Sequence, residues 1–492
     1  MMSTSEANQQ PHLIAGEWRP SEDAATFDRA NPFTGEVVTI ASAASRADTR
    51  AAVDSAAAAF PAWSGLSAKE RGALLEVAAD LMTERAPQIA KTMTEECGAT
   101  FGWGMFNCQL ASGMLRAASA MTDAAEQARE TIPSGVPGLD ATAVRSPAGV
   151  VAAMAPWNAP VILATRAVAA PLAFGNTVVL KASEKCPRVH AAVVGVLHDA
   201  GLPAGAINLI VHSAEGAPEV VDELIAHPAV RRVNFTGSTK VGRIIAATCA
   251  EHLKPSVLEL GGKAPMIVLD DADLDLAASA ASFGAFMNSG QICMSTERII
   301  VEPAASEAFQ TKLVDRARAL VAGDPSDETT MIGPVVDDAS RRHVLELIED
   351  ARDKGATLLA GGEDLGGNVL TPAVVAGVTP DMRLYSEESF GPVVALVDAA
   401  DTDDAIRIAN DSDYGLAASI FTSDPQRGLE LAGRVESGIC HVNGSTVHDE
   451  PPMPFGGVKA SGWGRFGGSA ALHEFTELRW ITVQNGERHY PI

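Results

Sequence analysis

From Gly149 onward, short β-branched apolar runs alternate with longer stretches of helical spacing, and this alternation limits the available folds more than any other feature of the chain. Val150–Met154, Thr177–Leu180, Ile207–Val211 and Val233–Phe235 read as strands of one series. Strands interleaved with helices imply βαβ units and a parallel sheet. A second series, Ala264–Leu269, Arg298–Val301, Val393–Val397, Ala418–Phe421 and Gly438–Val442, is interleaved with helices such as Ala305–Val321 and implies a second α/β domain. The junction falls near Glu259–Lys263. A ligand spanning both domains would lie in the crevice outside the carboxyl ends of the strands.

Before Gly149 the pattern differs. Apolar residues recur at helical spacing from Arg50 to about Ala90 (Leu74, Leu75, Val77, Ala78, Leu81), and Cys108 to Ala128 reads likewise, so the N-terminal quarter is expected to be mainly helix. Between Thr131 and Pro147, Pro/Gly punctuation with β-branched ends predicts a hairpin arm, which could pair with another subunit. A chain of 492 residues has room for about three folding units. Its 37 basic and 62 acidic residues leave a formal charge of −25, which disfavours general affinity for nucleic acid phosphates or anionic lipid. No run approaches the ~18 uninterrupted apolar residues of a membrane span. The first ten residues lack the basic and apolar regions of a secretory signal, so a soluble, cytoplasmic protein is expected.

Six cysteines (Cys97, Cys108, Cys186, Cys249, Cys293, Cys440) are too sparse for a disulfide framework, and none shows C-x-x-C spacing, so no metal site is expected. A lone cysteine is ordinarily a small buried hydrophobe. Cys293 departs from that pattern: Asn-Ser-Gly-Gln-Ile-Cys-Met-Ser-Thr is a polar, Gly-containing turn running into the strand Arg298–Val301, near the interdomain junction. A thiolate there would be a strong nucleophile. Glu259, in Leu-Glu-Leu-Gly-Gly-Lys, is followed by two glycines that allow close backbone approach, although alone it reads equally as a surface carboxylate. Trp157-Asn158 follows a strand and places an amide donor at its end, where a turn-forming Asn is also ordinary.

Two further segments suggest a nucleotide. Asn234–Gly242 follows a strand and opens a helix, Lys240–His252, so Gly237 and Ser238 sit where backbone N–H groups and a helix N-terminus can face a pyrophosphate; a plain strand-turn-helix junction would read much the same. Lys181-Ala-Ser-Glu184 follows the strand Thr177–Leu180 and puts a cation and a carboxylate within reach of a sugar edge. A carboxylate there accepts hydrogen bonds from ribose hydroxyls and repels a 2′-phosphate, favouring NAD over NADP.

Asn158, Glu259 and Cys293 in this order, the last two 34 positions apart, make the sequence resemble the aldehyde dehydrogenase superfamily. The resemblance covers nearly the whole chain: Leu13–Pro20, Asn31-Pro-Phe-Thr-Gly-Glu, Pro156-Trp-Asn, Phe235-Thr-Gly-Ser, Glu259-Leu-Gly-Gly-Lys, Gly290-Gln-Ile-Cys, Glu387-Glu-Ser-Phe-Gly-Pro-Val and Pro454-Phe-Gly-Gly. Gly290-Gln-Ile-Cys-Met-Ser-Thr-Glu-Arg and the segment His441–Lys459 look like the salicylaldehyde, benzaldehyde and vanillin dehydrogenases, a subgroup acting on aromatic aldehydes. One departure is Ala182, where many relatives carry Pro; it leaves the flanking charged residues intact.

The resemblance implies an α/β fold with a Rossmann-type NAD-binding domain (residues 8–130 and 148–258), an α/β catalytic domain (259–468) and a small β oligomerisation arm (131–147 and 469–492). That arm, with its C-terminal strand Leu478–Val483, would join subunits as a homodimer or homotetramer. It implies that Cys293 attacks the aldehyde, that Asn158 and the Cys293 N–H hold the oxyanion, that NAD takes the hydride, and that Glu259 is the general base for thioester hydrolysis to the acid. It places Lys181 and Glu184 on the adenosine ribose, Trp157, Gly237, Ser238 and Gly261 about the cofactor, Glu388 on the nicotinamide ribose and Phe390 beside the ring. Ile162, Met287, Ile292, Met294 and Phe455 would form an apolar substrate wall closed by Trp103 or Phe106, with Ala159 widening the channel where many relatives have Phe. Arg166, eight residues and about two helical turns after Asn158, would contact a phenol oxygen or form a structural ion pair with an acidic neighbour. The rival readings are a broad aliphatic or semialdehyde dehydrogenase, a CoA-acylating relative, in which a carboxylate at the Glu259 position is uncommon, and a catalytically silent protein on the same scaffold.

Overall fold

The computed structural model describes residues 9–492; residue 8, where the first expected domain begins, and most of the first ten residues considered above lie outside the described residues. Two large sheets organise the chain. The first has eight strands in the order Gly462–Trp463, Ser256–Glu259, Val230–Thr236, Val150–Met154, Thr177–Lys181, Ile207–Ile210, His12–Ile14 and Glu17–Arg19. Its five central strands are parallel, and antiparallel strands close both edges. The chain steps outward from Val150–Met154 to Ile207–Ile210 and then returns to the other side of Val150–Met154, which creates a topological switch point between that strand and Val230–Thr236.

The second sheet runs Thr357–Ala360, Ala373–Ala376, Val393–Asp398, Thr296–Val301, Ala264–Val268, Ala417–Phe421 and Ile439–Val442, parallel except at its first strand. All strands expected after Gly149 are present. Residues of Val150–Met154, Thr177–Lys181, Ala264–Val268 and Ala417–Phe421 are buried on both faces, because helices cover both sides, and so these strands read as largely apolar runs. The two sheets meet without a linker: Glu259 ends one strand, Ala264 begins the next, and Gly462 pairs back onto Glu259.

The N-terminal quarter is mainly helix, as expected, but only after residue 45. Up to Ser42 it is β, with Gln9–Gln10, Val37–Ser42 and Thr26–Ala30 forming a small sheet. The helical stretch from Arg50 to Ala90 is two helices, Arg46–Ser64 and Ala68–Cys97, because Ser67 caps the second through a reciprocal bond with Glu70. The next helix, Phe101–Ala120, stops well short of Ala128. Gly104 lets it lie against Ala90, where a Cβ would come within 2.7 Å of the Ala90 backbone.

The expected arm forms an antiparallel sheet of Glu130–Ile132, Leu139–Pro147 and Thr476–Gln484, whose last strand leaves Leu478, Trp480 and Val483 exposed. The helices expected at Lys240–His252 and Ala305–Val321 run from Thr239 to Glu251 and from Pro303 to Ala319. No helix among the described residues is long and apolar enough to cross a membrane.

Candidate active site

The carboxyl ends of the first sheet's strands and the amino ends of the second sheet's strands open on one cleft of about 300 Å³. The turn after Val150–Met154 supplies Trp157 and Asn158, the turn after Val230–Thr236 supplies Gly237 and Ser238, and Ser256–Glu259 ends on Glu259 itself. From the opposite side come Cys293, just before the strand Thr296–Val301, and Glu388 and Phe390, just before Val393–Asp398. Gly261 also lines the cleft, so these expected residues, far apart in sequence, share one space.

The loop carrying Cys293 is strained and held. Asn288, Ser289 and Gly290 are all left-handed, with φ of 50°, 56° and 71°. Such backbone costs about 1–3 kcal/mol per non-glycine residue and persists only where surroundings enforce it. Here Asn288 donates from Nδ2 to the carbonyl of Asn158 (2.9 Å) and Ser289 donates from Oγ to that of Gly333 (2.8 Å). The next residue must be glycine, since a Cβ on Gly290 would sit 2.0 Å from the Gly391 carbonyl oxygen. Asn158 is tied to the same loop: its Nδ2 donates to the Gln291 carbonyl (2.9 Å), and its own carbonyl also accepts from the Trp103 indole (3.2 Å). Gly262 packs directly on the Cys293 carbonyl, and its N–H donates to Glu388 Oε1 (2.8 Å).

Behind the cleft, Lys263 Nζ pairs with Glu297 Oε2 at 2.7 Å, both residues buried. Glu297 also accepts from the Ser389 N–H (3.0 Å), the Ser389 hydroxyl (2.8 Å) and the Phe390 N–H (3.3 Å). That arrangement holds Phe390 at φ 45°, with its ring edge-on to Trp157 at 5.7 Å.

Burial dominates the electrostatics. It raises the Glu259 carboxyl to about 7, opposed by the positive charge of Arg166 and by the neighbouring Cys293 and Thr236 side chains, and reinforced by Asp449. Neither oxygen of Glu259 has a hydrogen bond of good geometry. Burial likewise raises Glu388 to about 8, against the Gly262 N–H and with Glu297. The Cys293 thiol is pushed well above its ordinary range by burial and then by Glu259, with Arg166 acting the other way. The thiol and Glu388 therefore rest largely protonated at neutral pH, while Glu259 stands close to half-ionised and can act as a base.

The remaining expected residues fall into two groups. Ile162, Ile292, Met294, Trp103 and Phe455 belong to one apolar cluster with Ala159, against which Cys293 packs. Trp103 is buried, whereas Phe106 is exposed and stacks on it at 5.4 Å. Met287 packs against the same cluster and also lines a surface groove with Phe283, Phe286 and Met331. Arg166 is on the helix Pro160–Ala173, but Asn158 precedes that helix, so the two do not share a helix face. Arg166 pairs with buried Asp449 and lies over the Phe455 ring at 3.9 Å from its centroid.

Lys181 and Glu184 lie at the end of the neighbouring strand, outside the cleft lining. Burial lowers the Lys181 pKa; for Glu184 burial acts upward but is outweighed by Lys181 together with a backbone N–H, His212 and Lys185, and its carboxyl is lowered. Ser238 caps the helix Thr239–Glu251, accepting from the Val241 N–H. Sequence reasoning did not single out Thr236, Leu260, Leu163 and His343, which also line the cleft, nor Asp449 or His212. Thr236 and Leu260 adjoin motif residues and could have been found that way; His343 carries no local signal.

The pattern of the aldehyde dehydrogenase family matches residues 18–481. The vanillin dehydrogenase of Pseudomonas sp. strain HR199 is 54% identical over 482 residues, covering 98% of this chain and 99% of that protein. A crystal structure of a salicylaldehyde dehydrogenase from Pseudomonas putida G7 complexed with salicylaldehyde superposes with a TM-score of 0.96 at 41% identity, covering 99% of this chain and all of that one. The betaine aldehyde dehydrogenase from Staphylococcus aureus in complex with NAD+ superposes with a TM-score of 0.94 at 31% identity, covering 99% of this chain and 97% of that one.

Lys263→Met should strand the Glu297 carboxylate and cost about 3–5 kcal/mol of stability, while Lys263→Met/Glu297→Met should recover most of it. Denaturant unfolding of both variants checks this; equal destabilisation by the single and double changes would contradict it.

Proposed function

The chain belongs to the aldehyde dehydrogenase family, and we propose that it oxidises aromatic aldehydes of the vanillin, salicylaldehyde and benzaldehyde type to carboxylic acids with NAD as acceptor. The observation that carries this reading is the meeting of the Cys293 thiol, the buried Glu259 carboxyl and the Asn158 amide in one cleft. Because the thiol is held protonated, attack on the carbonyl carbon needs a base, and Glu259 can take its proton. The second N–H of the Asn158 amide, the first being bonded to Gln291, and the Cys293 backbone N–H stabilise the oxyanion, a donor of this kind contributing about 3–4 kcal/mol. A nicotinamide bound beside Phe390 would supply the two-electron acceptor for the hydride of the hemithioacetal carbon, leaving a thioester on Cys293. Glu259, its proton lost to solvent, then takes one from the water that hydrolyses the Cys293 thioester.

The residues present fit a dinucleotide. The cleft lies at the switch point, where open α/β sheets bind ligands, and Gly237 and Ser238 lead into a helix N-terminus suited to a pyrophosphate. Gly261 leaves room beside Glu388, which would bind the nicotinamide ribose, with Trp157 and Phe390 flanking the ring. Lys181 and Glu184 would meet the adenosine ribose, and the Glu184 carboxylate disfavours a 2′-phosphate.

An aromatic substrate is supported by the names of the relatives and by the apolar cluster that contains Ile162, Ile292, Met294, Trp103 and Phe455 and against which Cys293 packs. A single Arg166 nitrogen is bonded to Asp449, which leaves N–H groups for a phenol oxygen. The presence of Glu259 favours hydrolysis over transfer to CoA. The exposed apolar face of Thr476–Gln484 supports subunit pairing through the arm.

Comparing kcat/KM for vanillin, salicylaldehyde and benzaldehyde with acetaldehyde and hexanal, each with NAD and NADP, tests the assignment. Aromatic substrates and NAD are expected to be preferred by at least about tenfold, the scale of one good contact. Preference for short aliphatic aldehydes overturns the substrate class, and equal use of the two cofactors overturns the role of Glu184. Where hydrolysis limits turnover, kcat should rise with pH through about 7 as Glu259 loses its proton, and Glu259→Gln should flatten that rise. An unchanged profile in Glu259→Gln removes it from the base role.

A further inference from the structure

His212 follows the strand Ile207–Ile210, is fully buried, and belongs to no motif identified above. The parallel register sets Ile210 beside Lys181, so that His212 lies across the end of the strand carrying that lysine. Lys181 Nζ donates to His212 Nε2 at 2.6 Å and to the Ala182 carbonyl at 3.2 Å. His212 Nδ1 donates to the Ser213 carbonyl at 2.8 Å, which fixes the neutral tautomer and leaves Nε2 as an acceptor. Burial, and then the Lys181 charge, lower the imidazole to about 3, so it keeps that role at neutral pH. The ammonium is bonded to these two acceptors and not to Glu184, only three residues away.

We propose that His212 is a positioning residue for the dinucleotide: it holds the Lys181 ammonium so that its third N–H is presented to the adenosine ribose and kept from collapsing onto Glu184. An ammonium has three donors fanned tetrahedrally, and fixing two of them directs the third. A neutral acceptor does this without adding charge, so Glu184 keeps its own acceptor oxygens for the ribose hydroxyls. The proposal rests on the reading that Lys181 and Glu184 meet that ribose.

The test is NAD affinity by titration calorimetry, with KM for NAD and kcat at saturating cofactor, in His212→Phe and His212→Gln. The phenyl ring fills the site without an acceptor, whereas the glutamine amide oxygen restores one. His212→Phe should weaken NAD about tenfold in Kd and KM, the scale of one hydrogen bond to a charged group, with kcat nearly unchanged, and His212→Gln should recover most of that loss. Added to Lys181→Met, His212→Phe should weaken NAD no further, because its effect passes through the lysine. Wild-type affinity in His212→Phe, equal losses in Phe and Gln variants, or additive losses with Lys181→Met each overturn the proposal. Wild-type affinity in Lys181→Met is a separate failure, that of the ribose reading itself. If His212→Phe does not fold, judged by its melting temperature, His212→Asn replaces it, its shorter amide falling short of Lys181.

Discussion

The buried pair of Lys263 and Glu297 is the interaction on which the site depends, because it joins three segments that the fold delivers separately. Lys263 ends the stretch that begins at Glu259, Glu297 ends the stretch that begins near Cys293, and Glu297 binds Ser389 and Phe390 from a third loop. Removing two charges from water is costly, and apolar residues of the same volume would stabilise the fold as well or better. What apolar packing would lack is direction. Several hydrogen bonds converging on one carboxylate fix the spacing of Glu259, Cys293 and Glu388, and the strained left-handed residues at Asn288, Ser289 and Phe390 persist because such contacts enforce them.

With that frame fixed, desolvation decides the resting state. Glu259 and Glu388 both face the cleft and both are raised by burial, and the thiol between the two sheets is raised with them. Arg166 and Asp449 act on Glu259 in opposite senses, so their pair changes its proton affinity less than either charge would alone. The site therefore holds its protons until chemistry requires a base with a pKa near neutrality, where proton transfer in both directions is accessible.

The central strands of the two parallel sheets were legible because both faces are buried and most of their residues are apolar. Edge strands such as Glu17–Arg19, Thr357–Ala360 and Gly462–Trp463 were not, since short, half-exposed segments carry neither a continuous apolar run nor a clean alternation. The early sheet of residues 9–42 was missed for the same reason. Cys293, Glu259 and Asn158 could be read because each lies in a local motif of turn and glycine residues. His212, Asp449 and His343 could not, because what distinguishes each is a partner 31, 283 or 45 residues away, and a buried ion pair such as that of Arg166 names its partner only once the chain is folded.

The central claim is that an aldehyde becomes covalently bound to Cys293 and is released by Glu259. Its most direct test is the mass of Glu259→Gln protein mixed with NAD and vanillin, quenched in acid and digested. The account predicts an added vanilloyl group on the peptide containing Cys293, which forms and is lost more slowly than in wild type because Glu259 serves both steps. An adduct on Cys186, Cys249 or Cys440 in its place, or turnover with no trapped adduct on any cysteine, would contradict it.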